Sequence, residues 1–303
     1  MLNKILNSNT ITLCRALLAL SLLVTLVFTG INDLFPKEHI LEVASRDLFL
    51  MKLNFFLWFN SPQLPYIFSI IILIFSILGV YPRFFCVLQC WVTYSLFYSM
   101  LIIEGGDQIN TILTFLLIPV CILDDRKNGW VVKREVVLSS NNKAWLFNAI
   151  IILYIIKLQV SMLYFNAGIA KIYGSEWSNG TAVYYWFNDN IFGAPNWLKS
   201  VFGPLFRNGI CVSLINWSII FIEISIFVAL FLKQELKYLL FFIGFSLHFL
   251  IIFIHGLPAF GMVMTACLIL YLFRLDISII DNINELKKIS FKKLFYERIS
   301  RIN

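Results

Sequence analysis

Apolar residues gather in eight long blocks along the 303 residues, at about 11–30, 65–81, 84–104, 108–123, 145–173, 210–232, 238–256 and 258–275. A helix needs about 20 apolar residues to cross a bilayer. The pattern therefore predicts an all-α integral membrane protein, a polytopic helical bundle of about eight spans. The block at 108–123 is short, and that at 145–173 is long enough to tilt or to project. Gly256-Leu257-Pro258 predicts a tight turn between the last two. The first block follows Lys4 and is not followed by a small-residue cleavage site after Gly30, so a retained helix is expected. No internal repeat is visible.

Two connecting segments are long. Residues 31–64 mix charges with DLFLMKLNFFLWF and read as interfacial. Residues 174–209 carry Trp177, Tyr184, Tyr185, Trp186 and Trp197, side chains that favour the headgroup level, and predict an outer-face interfacial cap. The organisation expected is one transmembrane domain over 1–275 and a basic tail over 276–303.

Composition agrees with the pattern: 60% of residues are hydrophobic and 14% charged, against roughly a quarter charged in a soluble domain. The net charge of +7 sits in loops, which argues for topology and against nucleic acid. With the N-terminus cytoplasmic, inner loops and tail hold sixteen of the 24 basic residues and outer segments hold five. Both termini are then cytoplasmic, and the tail can touch membrane lipid. The six cysteines form no C-x-x-C and read as packing residues. No metal motif is present.

Polar groups within apolar blocks need partners or a cavity. Lys157, Ser161, Tyr164, Gly168 and Lys171 share one helical stripe by i, i+4 and i+7 spacing, which should face the bundle interior. Lys171, near the end of its block, either snorkels to the interface or is a base held in a dry pocket. His248 and His255 lie on one helix face, with histidine's capacity to shuttle protons. Glu223 lies within the sixth block and must be protonated or paired. Arg15 is expected to pair with a carboxylate. Asp107 sits beside Glu104 in EGGDQIN, a hydrated turn or part of a site. Asp124, Asp125 and Arg126 read as an ordinary hairpin. Lys171, His255, Glu104 and Asp107 map to one outer depth, beneath the predicted cap.

YFNAGIAK with Trp177 and Gly180 resembles the core motif of the HTTM (horizontally transferred transmembrane) family. FIEISIFVALFL and FSLHFLIIFIHGLPAFGMVMTACLILYL look like that family's later helices. GGDQI and LLIPVCILDDRKNGW have counterparts in its sporulation-delaying protein B group, and the likeness covers about 10–275. A more distant likeness is to the membrane domain of the vitamin K-dependent gamma-glutamyl carboxylase, whose large lumenal domain this chain lacks. The resemblance implies that Lys171 takes the place of a catalytic base, with His248 and Asp107 beside it. It implies contacts to substrate from Tyr164, Asn166, Trp177, His255 and Glu223. It also implies a small peptide-toxin precursor and a small accessory protein as partners, and allows a reduced quinone as cofactor.

The leading expectation is a membrane factor that matures or modifies an exported antimicrobial peptide at an outer cavity. The alternatives are a non-catalytic peptide transporter or immunity-type binder, and a quinol-dependent carboxylase-like enzyme. A transporter would carry pseudo-symmetric repeats and broken helices.

Overall fold

The structure is a computed structural model describing residues 2–46, 49–132 and 143–288. Lys133, Arg134 and the basic residues of 292–301, all counted in the charge reading, lie outside these residues. Each predicted apolar block contains one helix: α1 (Thr10–Phe28), α2 (Gln63–Ile77), α3 (Pro82–Ser99), α4 (Gly105–Cys121), α5 (Lys143–Tyr173), α6 (Gly209–Val228), α7 (Gln234–His255) and α8 (Pro258–Leu272). Four stretches are long and apolar enough to cross a membrane: α1, Phe147–Tyr173 of α5, α6 with its closing 3₁₀ turn to Phe231, and α7. Helices α2 and α8 are apolar but shorter. The protein is a helical membrane protein, and no strand occurs among the described residues.

Helix α8 is the central post. It packs against α1, α4, α5 and α7, and every residue from Ala266 to Leu272 is buried. A helix apolar on all sides belongs inside. Its ends follow from local chemistry. Gly256, at φ +67, closes α7 in the left-handed region, and Pro258 opens α8 where its missing N–H is not needed. A second core lies among α1, α2 and α3, covered by the segment read as interfacial. Phe35 stacks on Phe56 at 4.6 Å, and Asn54 donates to Ser99 at 2.9 Å.

Two expectations change. Arg15 meets no carboxylate among the described residues. It donates to Gln89 Oε1 at 3.1 Å while the Gln89 amide returns a bond to the Arg15 carbonyl at 3.0 Å. A neutral amide satisfies the guanidinium without adding a second buried charge. The hairpin at Arg126 is no ordinary one either, since Arg126 is 4% exposed and bound to both oxygens of Asp124.

The described part of the tail folds back on the bundle. Ser8 and Thr10 donate to the carbonyls of Leu275 and Ile277, and Asn282 accepts from Tyr238 at 2.7 Å. The residues before α1 and those after α8 thus meet at one end of the bundle. At the other end, residues 174–209 fold over the tip of α7, where His255 Nδ1 lies 2.7 Å from the Phe192 carbonyl.

Candidate functional site

The polar stripe of α5 faces α6, and the two run antiparallel in a register that can be followed contact by contact. Ser161 donates to the Phe227 carbonyl at 3.1 Å. Gly168 lies against Glu223 and Ile224; a Cβ there would stand 2.7 Å from Ile224 Cδ1. A small residue lets two membrane helices approach closely. Lys171 Nζ then donates to Glu223 Oε1 at 2.8 Å.

Helix α5 stops at Tyr173, yet the register continues. Asn216 donates to the Trp177 carbonyl at 2.8 Å, and Gly180, at φ +76, sits beside Ser213. Residues 174–180 therefore climb along α6 where α5 would have run. Over Lys171 lies the Trp177 ring, its centroid 5.2 Å from Nζ. A ring face attracts a cation at that distance.

One to two turns below, Tyr164 OH and His248 Nε2 are 2.7 Å apart, with Tyr164 1% and His248 5% exposed. Phe260 flanks the imidazole at 5.8 Å. The two pairs are stacked along one face of α5, Tyr164 lying two turns before Lys171. Of the nine buried side-chain atoms that find no hydrogen-bond partner among the described residues, three lie here: Glu223 Oε2, His248 Nδ1 and Asn216 Oδ1. Buried polar atoms nearly always have one.

The structure thus brings Lys171, Glu223, Trp177, Tyr164 and His248 together. Asp107 is used locally, its carboxylate accepting from the Glu104 N–H at 2.9 Å in a capping box that starts α4. Its neighbour Gly106 makes room for Phe260, which in turn rests on His248. His255 is held at the Phe192 carbonyl and Asn166 is exposed, so neither joins the cluster by direct contact. Lys157, fourteen residues before Lys171, lies about 21 Å away along the helix. Asn216 was not singled out in the sequence. Its signal is its place seven residues before Glu223, on one face of α6.

Sporulation-delaying protein SdpB of Bacillus subtilis (strain 168) is 33% identical over 267 residues, covering 87% of this chain and 81% of that protein. The uncharacterized protein YitO of the same organism is 30% identical over 284 residues, covering 90% and 87%. No protein-family model matches the chain, and no solved structure matches it significantly. With a third of its residues shared over most of both lengths, this chain belongs to the family of sporulation-delaying protein SdpB.

Proposed function

We propose that the chain is an eight-span plasma-membrane protein that matures or modifies an exported antimicrobial peptide toxin, with Lys171 and Glu223 as its working pair. The observation that carries this is the Lys171–Glu223 contact at a helix break, beside orphaned buried polar atoms. Non-helical backbone at membrane depth is tolerated where protein buries it or where it lines a watery cavity. The break is at Gly174; Glu176 and Ser178, in the short helix Ser175–Ser178, and Asn179 after it are exposed beside it, which favours the cavity. Both termini are cytoplasmic in this reading, so the cavity opens outward, under 174–209, where an exported peptide passes.

Lys171 serves as a base once its proton moves to Glu223; it then takes the substrate's proton, and Glu223 gives up the proton it holds to the product or to water. Tyr164 and His248 offer a second proton path beneath. A reduced quinone, which the HTTM resemblance allows, would supply reducing equivalents. Glu223 Oε2 and His248 Nδ1 are the atoms that would hold its hydroxyls. A peptide amide fits the same two atoms.

The test is co-expression with the toxin precursor and the small accessory protein, reading the secreted peptide by intact mass. Lys171→Met and Glu223→Gln are expected to abolish the mature species at unchanged membrane levels of the protein. Lys171→Arg keeps a cation but cannot give up a proton, and is expected to fail as well. Normal maturation by Lys171→Arg would reassign the pair to structure; normal maturation by Lys171→Met would overturn the reading.

A further inference from the structure

At the end of the bundle where Ser8 and Thr10 meet the residues following α8, α5 and the start of α7 join them around a cavity of about 190 Å³. Its walls are mixed. Leu153, Tyr154 and Phe273 are apolar, while Lys157, Arg274 and Asp276 are charged. The volume is below the roughly 300–1,000 Å³ of sites for drug-sized ligands. It suits a small headgroup.

The charges are unequally satisfied. Arg274 is bound to Asp276 at 3.0 Å and to Glu285 at 3.1 Å. Lys157 is partly buried and has no hydrogen bond or ion pair among the described residues. Lys237, one turn into α7, repels it, and Asp276 attracts it while held by Arg274. Gln234, the first residue of α7, lines the same cavity, and its amide is spent on the Leu272 carbonyl. The opening turn of a helix presents free N–H groups to an anion, though Glu235 in that turn opposes it. A cation in an apolar block requires a counter-charge; here three cations, Lys157, Lys237 and Arg274, face Asp276 and Glu285, and both carboxylates bond to Arg274 rather than to Lys157.

We propose that this cavity binds the phosphate of an anionic membrane lipid, with Lys157 as its main contact and the acyl chains lying along the apolar wall. The apolar wall beside the cation favours a lipid over a free ion. On the topology above, this end lies at the cytoplasmic leaflet, where anionic lipid gathers about basic residues. The site is separate from the Lys171 pair.

The full chain is purified in neutral detergent and delipidated in steps. Native mass spectrometry counts the phosphatidylglycerol retained, and thermal midpoints are read with added phosphatidylglycerol, phosphatidylcholine or inorganic phosphate. One phosphatidylglycerol should survive on the wild type and raise its midpoint more than phosphatidylcholine does. Lys157→Met should weaken retention about fivefold, from the roughly 1 kcal/mol a basic residue contributes near anionic lipid, and Lys157→Arg should restore it. Lys157→Gln substitutes if the Met variant cannot be purified. Equal retention by wild type and the neutral variants overturns the proposal. So does equal stabilisation by phosphatidylcholine, which would make the cavity merely apolar. A midpoint shift from inorganic phosphate alone overturns the lipid assignment in favour of a free ion.

Discussion

Arg126 and Lys171 each answer a buried carboxylate, and they do so differently. Arg126 donates to Asp124 at 2.8 and 2.6 Å and to the Val131 carbonyl at 3.0 Å, which leaves the pair saturated. Lys171 meets one oxygen of Glu223, and the other is orphaned. A saturated pair fixes structure, while Glu223 keeps one carboxylate oxygen that no described residue uses. Arg126→Met should therefore cost about 3–5 kcal/mol, because Asp124 stays buried without its partner. Adding Asp124→Leu should recover most of the loss, measured by unfolding midpoints in detergent. Neither geometry is legible in the sequence. Asp124-Asp125-Arg126 looks like any charged turn, since adjacency along the chain says nothing of burial. Glu223 reads as needing a partner, but its pairing with Lys171 depends on where α5 stops, which hydropathy does not mark.

Among the elements, α4 begins on a titrating cap. Glu104, in the turn before α4, has its carboxyl pushed up to about 7, chiefly by burial and then by the Asp107 carboxylate. A raised folded-state value means the unfolded chain releases this proton first. The associated stability is fully present below about pH 4.5 and is lost as pH rises to about 7. Glu104→Gln keeps the acceptor for the helix N–H groups and removes the titration. Wild type should lose about 1 kcal/mol more than this variant between pH 5 and 8, a figure discounted for partial exposure. Parallel pH profiles of the two would contradict the assignment. At this scale the sequence is a good guide to α5: polar residues at helical spacing mark its inward face, Ser161 and Gly168 against α6 and Tyr164 against α7. It misleads at Lys157, which shares that face by periodicity yet belongs to the opposite end, because a stripe carries no depth.

For the molecule as a whole, the eight helices fall where the apolar blocks do, since bilayer-length apolar runs are a strong signal. Their arrangement around α8 is not legible, as a helix apolar on every side names no partner. Thiol chemistry tests that arrangement. Cys14, Cys86, Cys121 and Cys267 are buried, while Cys90 and Cys211 are partly exposed. Maleimide should modify two thiols at most in the native protein and all six after denaturation. Prompt modification of Cys267 would remove α8 from the centre.

The placement of α8 also bears on how the protein is made. The helix against which α1, α4, α5 and α7 all pack is the last of the eight to leave the ribosome. Earlier helices enter the bilayer before their common partner exists, and associate only afterwards. Chains interrupted before Pro258 would carry the Lys171–Glu223 contact but lack Phe260 beside His248 and the whole wall of the first core. Such fragments would keep the core among α1, α2 and α3 but leave the faces that α8 covers open to the membrane and its proteases, so that synthesis of α8 acts as a checkpoint on assembly.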